Sequence, residues 1–430
     1  MNDHSLKHDT RGDERGDRPS DGHARPRLIH EWDDPDPVLS PPQVLDETLR
    51  DGLQSPSVRD PSIDQKIALL HLMASIGMNA ASIGLPGAHA RQCDDALALA
   101  TEIAREKLAI MPYCAARTLV KDIEPVVDIS QRAGIRLGVG VFIGSSPIRQ
   151  YAENWTLDDL KRRTEQSLRF AVDHGLSVMY VTEDTTRSAP ETLAELYRTA
   201  IHCGADRLCI ADTVGHATPP AAAKLVAFVK RLIEESGADI GLDWHGHRDR
   251  GLAVANSLAA WTAGADRCHG TALGIGERCG NTPIELLLAN LEVLGWSHHR
   301  LSFLMKYVHT AEQALGITAS PDQPVVGKNA FRTVTGIHAS AVLKAKRRGD
   351  DWLADRVYSS IPAAMVGRKQ EIDVGHLSGE ANVRSFFEER GLAHDAMKIR
   401  EVVAMAKAQR VVLTDKSLRD ATSFCSAERE

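Results

Sequence analysis

His245 and His247, two residues apart in Trp244-His245-Gly246-His247-Arg248-Asp249, are the strongest chemical signal in the chain. In an extended strand residues i and i+2 project to the same side, so both imidazoles can face one ion. Asp51, in Asp46-Glu47-Thr48-Leu49-Arg50-Asp51-Gly52-Leu53-Gln54, supplies a hard oxygen. Asn281, closing Gly274-Ile275-Gly276-Glu277-Arg278-Cys279-Gly280-Asn281, offers an amide oxygen. Two nitrogens, a carboxylate and open positions suit a catalytic divalent ion, and magnesium, manganese and zinc are all compatible. Polar groups gather at two further points: Glu183, Asp184 and Arg187, then Asp212 and Thr213. Any one cluster reads as loop polarity, whereas four of them, at Asp46–Gln54, Glu183–Arg187, Asp212–Thr213 and Trp244–Asp249, each ending a strand-like run, read as one rim. Nothing in the sequence marks Cys279 as an activated nucleophile, and it reads as a small packing residue.

The elements that must carry these groups follow from apolar rhythm. Short strand-like runs recur at Val44–Thr48, Met78–Gly84, Leu108–Tyr113, Ile135–Ile143, Ser177–Thr182, Arg207–Asp212, Asp239–His245 and Asp266–Thr271. Segments with apolar residues at helical spacing lie between them, most clearly Ile63–Met73, Ala96–Arg105, Leu160–Asp173, Thr192–His202, Ala221–Ser236 and Ala253–Ala263. Eight such alternations predict a (β/α)8 TIM barrel over residues 41–295, with chemistry where strands end and loops begin. A doubly wound open sheet competes, but no Gly-x-Gly-x-x-Gly follows the first strand and no Walker-type loop occurs. After residue 295 the rhythm changes to helical stretches at Leu301–Gly316, Ser340–Arg348 and Ser378–Arg390, predicting a smaller, mainly helical extension over 296–430. Residues 1–40 are charged and rich in Gly and Pro, and read as a disordered tail.

Composition narrows the function further. The 430 residues carry 51 Lys+Arg against 58 Asp+Glu, a net charge of −7, which disfavours general nucleic-acid binding. No apolar run is long enough for a membrane span, and no secretion signal opens the chain. Seven cysteines, odd in number and without Cys-x-x-Cys spacing, predict a reducing, cytoplasmic setting.

Four segments together carry a resemblance: DETLRDGLQ, IADTVGHATP, HGHRDRGLAVANSLAAWTAGA and GIGERCGNTP, in this order. The chain resembles the acyl-CoA-condensing synthases of the metal-dependent aldolase/lyase barrels, which include isopropylmalate, homocitrate and citramalate synthases. The likeness continues through PVVGKNAFRTVTGIHASAVLK and YSSIPAAMVG, similar to the family's post-barrel subdomains. It implies Asp51, His245, His247 and Asn281 as metal ligands, and Arg50 as the group stabilising negative charge on the substrate oxygen. It implies that Gln54 and Thr213 hold a 2-oxo acid and that Glu183 positions acetyl-CoA or a water. Gly276 and Glu277 would belong to the acyl-CoA-side loop. His338 and Tyr358 would reach a neighbouring protomer's site and assist proton removal, which implies a homodimer or larger.

The implied reaction is condensation of acetyl-CoA with a 2-oxo acid, followed by thioester hydrolysis. A carbon–carbon lyase like hydroxymethylglutaryl-CoA lyase is the competing expectation, because Arg50–Gln54 resembles its RDGLQ stretch too. The chain departs from the pattern at Ser82, where the family has a Glu, and at Arg149, where isopropylmalate synthases have a His. It ends at Glu430, so a C-terminal leucine-sensing domain is not expected. Leu119 and Met179 align with positions that face the distal carboxylate in homocitrate synthases. Apolar residues there favour an alkyl tail, as in 2-oxoisovalerate and leucine biosynthesis, since a buried unpaired carboxylate costs several kcal/mol. Arg149 favours a second carboxylate instead.

Overall fold

A computed structural model describes residues 28–30, 32, 41–297 and 299–420. The tail expected over residues 1–40 lies, apart from residues 28–30 and 32, outside the described residues, as do residues 421–430 of the expected extension. Eight parallel strands close into a barrel: β1 (Gln43–Asp46), β2 (Ala80–Gly84), β3 (Met111–Arg117), β4 (Gly138–Gly144), β5 (Ser177–Glu183), β6 (Arg207–Asp212), β7 (Gly241–Gly246) and β8 (Arg267–Gly270). The connecting helices are α1 (Ile63–Ile76), α2 (Ala90–Glu106), α3 (Val120–Ala133), α4 (Pro147–Glu153), α5 (Leu157–Asp173), α6 (Pro190–His202), α7 (Pro219–Ser236) and α8 (Ala253–Thr262). The TIM-barrel expectation therefore holds.

Local chemistry explains the element ends. Ser62 and Gln65 form a capping box that starts α1, and Thr156 and Asp159 do the same for α5. Strands are covered on both faces, so they read as apolar runs rather than clean alternation. Two elements differ from the periodicity. The third strand begins at Met111 rather than Leu108 and continues through Cys114, Ala115 and Ala116, small residues with weak strand propensity that are nevertheless buried in the barrel wall. Helix α4 has no buried residue, so no apolar stripe announced it; it is set by the Ser146 cap and Pro147 at its first turn.

The chain divides into two compact units. The larger comprises residues 40–333 and 361–371, so it carries on past the barrel through α9 (Ile284–Val293) and α10 (Leu304–Leu315). The other contains α11 (Gly336–Arg347), α12 (Asp351–Arg356), α13 (Glu380–Glu389) and α14 (Ala396–Ala408). Its apolar centre joins Val383, Phe386 and Phe387 of α13 to Ile399 and Val402 of α14, with Val374 and Leu418. Among the described residues, no helix is long and apolar enough to cross a membrane, and the six described cysteines are unpaired.

Candidate active site

The barrel's register brings the predicted ligands together. β1 pairs with β8 and β8 with β7, so the turn after β1 stands near the end of β7. His245 lies in β7 and His247 just beyond it, where an isolated antiparallel bridge sets His247 against Asn281. Asp51 Oδ2 is 3.3 Å from His245 Nε2 and 3.6 Å from His247 Nε2. The three ligand atoms lie within 4.8 Å of one another, and all three residues are buried. Donors on one divalent ion at bonds of about 2.0–2.2 Å stand roughly 3–3.5 Å apart, so the triad fits such an ion. Asn281 fits as well: its Oδ1 is buried without a protein hydrogen-bond partner, while its Nδ2 donates to Ile275 O at 3.1 Å.

Electrostatics agree with that donor set. Burial raises the pKa of Asp51, but Arg50 and His245 outweigh it and hold the carboxyl well below its ordinary value. Burial lowers both imidazoles, His247 to about 4 with the help of its neighbour His245, so the rings are neutral at pH 7 as ligation requires.

The loop that delivers Asn281 is tightly folded. Gly276 and Gly280 have φ of 151° and 97°, and a Cβ at either would collide with Asn281 Nδ2 or Gly274 O respectively. Asn281 N donates to Gly274 O at 3.0 Å, closing the loop on itself.

A cavity of about 270 Å³ opens on the triad. Arg50, Gln54, Glu183, Thr213 and Glu277 line it, together with Asp51, His245 and His247. Arg50 contacts Glu47, lies 3.8 Å from Asp51 and donates through Nε to Ser82 Oγ at 3.4 Å. Thr213 Oγ1 accepts from Asp184 N at 2.8 Å, which leaves its own proton for a ligand. Burial raises the pKa of Glu183, against the opposing pull of Arg149. The remaining wall is mostly apolar and includes Tyr113, Gly140, Phe142, Met179, Val181 and Ala211.

Several predicted residues are placed elsewhere. Leu119 does not line the cavity; it is the half-buried cap residue of α3. Arg149 does not line it either, because α4 turns its guanidinium onto Glu183 at 3.4 Å and Glu153 at 3.2 Å. Asp212 is absorbed by its loop, accepting from Thr186 Oγ1 and His216 N, and Asp184 is held by Arg187. His338 and Tyr358 belong to the second unit, where their rings stack 3.9 Å apart.

Three buried groups escaped sequence reasoning as participants: the Glu47 side chain, His269 and Asp243. His269 Nδ1 is 3.1 Å from Glu47 Oε1, and its Nε2 is 2.9 Å from Asp243 Oδ2. Asp243 also accepts from Arg207 at 2.6 Å and Arg267 at 2.7 Å. The same period-2 rule that singles out His245 extends back to Asp243, an available signal.

Fold and donors define a parallel (β/α)8 barrel with a candidate metal seat at the carboxyl ends of its strands. The HMGL-like family matches residues 41–309, well over half of the chain, and the chain belongs to that family. It is 34% identical over 401 residues to homocitrate synthase AksA of Methanopyrus kandleri, covering 91% of this chain and 93% of that protein. It is 31% identical over 369 residues to the 2-isopropylmalate synthase of Sulfolobus acidocaldarius, covering 85% and 90%. Among solved structures, hydroxymethylglutaryl-CoA lyase from Pseudomonas aeruginosa superposes with a TM-score of 0.54 at 21% identity, over 64% of this chain and 93% of that one, a likeness of fold alone.

Proposed function

We propose that this chain is a condensing acyltransferase that joins acetyl-CoA to a 2-oxo acid with an apolar tail, most simply 2-oxoisovalerate, and hydrolyses the thioester to give 2-isopropylmalate and free CoA. That product would place it in leucine biosynthesis. The observation that carries the reading is the cavity itself, which joins the Asp51, His245 and His247 triad to an apolar wall. The two arginines lining it are both engaged, Arg50 with Glu47 and Asp51, and Arg278 with Asp249 at 2.9 Å and Thr213 O at 2.6 Å. A distal carboxylate would meet Met179, Val181 and Phe142 without a free cation, and burying it so costs several kcal/mol. The synthase relatives support the reaction class.

Asp51, His245, His247 and the Asn281 amide oxygen would hold a divalent ion, which when bound polarises the ketone of the chelated oxo acid. Arg50 faces the developing negative charge on that oxygen. Gln54 and the free hydroxyl proton of Thr213 bind the oxo-acid carboxylate. Glu183, close to Glu277 of the acyl-CoA-side loop, orients acetyl-CoA or the hydrolytic water. His338 and Tyr358 serve the site of a second copy and assist removal of the methyl proton, so the working enzyme is a homodimer.

The reading is tested by thiol release with acetyl-CoA, magnesium or manganese, and a panel of 2-oxo acids. Preference for 2-oxoisovalerate is expected. Preference for 2-oxoglutarate would overturn the apolar-tail reading and implicate Arg149 released from Glu183. Silence with every acid would overturn condensation, and cleavage of hydroxymethylglutaryl-CoA would replace it with lyase chemistry. A fully active monomer would refute the roles of His338 and Tyr358.

A further inference from the structure

Beside the triad, Glu47 and His269 in the wall of the same cavity stand in line with the buried Asp243. His245 directs Nε2 at Asp51, 3.3 Å away, and its other ring nitrogen, Nδ1, has Glu47 Oε1 at 3.9 Å. Glu47 Oε1 stands 3.1 Å from His269 Nδ1, and the second Glu47 oxygen contacts Arg50. His269 Nε2 reaches Asp243, which Arg207 and Arg267 clamp from either side. Glu47, Asp243 and His269 are each at most 3% exposed, with Glu47 and His269 in the cavity wall and Asp243 beneath it. The Glu47 main chain is fixed too: its N–H donates to Gly270 O, and its carbonyl accepts from Arg50 N and Gly52 N in the turn that carries Asp51.

An imidazole that ligates through Nε2 needs an acceptor for its Nδ1 proton, and a carboxylate in that place fixes both tautomer and ring orientation. Glu47 is the carboxylate nearest to His245 Nδ1. Glu47, His245 and His269 also cluster closely enough to suggest an ion of their own. The Arg50 guanidinium already rests on Glu47, however, and a second cation there would meet its repulsion.

We propose that Glu47 and His269 are positioning residues: a buried relay, anchored on Asp243, that holds His245 for metal ligation and holds Arg50 beside it. This rests on the reading that Asp51, His245 and His247 seat the ion. Because Glu47 contacts Arg50 and stands 3.9 Å from His245 Nδ1, it ties the metal seat to the group that meets the substrate oxygen.

The test measures Mn2+ affinity of the full chain by competition with a fluorescent chelator, with thermal melting as the check on folding. Glu47→Gln keeps shape and removes charge, and is expected to weaken Mn2+ binding about 10- to 100-fold. His269→Ala is expected to do the same, and His269→Gln, which retains two hydrogen-bonding ends, to recover part of the loss. Tyr180→Phe removes a buried hydrogen bond to Thr164 on the far side of the barrel wall and is expected to lower the melting temperature without changing the affinity. Folded Glu47→Gln that binds Mn2+ within twofold of the parent overturns the relay, and that variant decides alone should His269→Ala fail to fold. His247→Ala separates the two readings. If it binds Mn2+ as the parent does, the metal seat itself is wrong; if it loses binding while Glu47→Gln keeps it, only the relay is wrong.

Discussion

Asp46 and Glu47 are neighbours in sequence and both buried, yet the groups around them differ in kind. Glu47 stands with Asp51 and Asp243 among three guanidinium groups, those of Arg50, Arg207 and Arg267. Despite burial, Asp51 and Asp243 are held well below ordinary carboxyl values by those cations and by adjacent histidines. Asp46 instead accepts from Thr48 N and from the Tyr307 hydroxyl of α10. Glu285 of α9 accepts from Leu273 N at 2.9 Å and Gln323 Nε2 at 3.1 Å. With hydroxyls and amides as hydrogen-bond partners, burial pushes Asp46 up to about 6 and Glu285 up to about 7. Depth is the same in both sets; the partner decides whether a carboxyl can stay ionised.

The contrast can be broken from the charged side first. His245→Ala removes one donor of the candidate triad and is expected to abolish Mn2+ retention and thiol release together; full activity in the metal-free variant would end the metal reading. Arg267→Met leaves buried Asp243 with one guanidinium and is expected to cost about 3–5 kcal/mol in urea unfolding. A loss under 1 kcal/mol would show that Arg207 alone suffices.

The neutral side sharpens it. Glu285 has a folded pKa raised above its unfolded value, so the folded state binds the extra proton between about pH 4.5 and 7 and loses stability as pH rises through that window. Glu285→Gln should therefore match the parent near pH 4.5 and gain up to about 3 kcal/mol above pH 8. A gain independent of pH would contradict the raised carboxyl. Tyr307→Phe deletes a hydrogen bond that lowers the Asp46 pKa, so its cost of about 1–2 kcal/mol should be larger at pH 8 than at pH 4. Equal costs at both would show that Asp46 does not change its ionisation between those pH values.

Legibility in the sequence followed the range of each interaction. His245 and His247 were visible because a strand's two-residue period is local, and Asp51 because a closed barrel makes its first strand neighbour to its last. The helical stripes were equally local, and they gave the barrel. His269 is not visible, and Asp243 only as the strand position two before His245: their partners lie 24 or more residues away on adjacent strands, and alone each looks like an ordinary residue of an apolar run. Arg149 and Leu119 fall outside the cavity lining for another reason. Both follow strand ends where the backbone turns into a helix, and an alignment of residue types carries no information on where α4 or the cap of α3 aims a side chain.

The closed turn from Gly274 to Asn281 bears on how this protein can vary. Gly276 and Gly280 contribute no chemical group, yet a single added carbon at either strikes the amide of Asn281 or the carbonyl that anchors it. In a library saturated over this segment, exposed Cys279 should accept many replacements, while the two glycines should accept almost none. A tolerance map would thus pick out the two residues with no side chain as sharply as the Asn281 amide they position. What this stretch must keep is the path of its backbone.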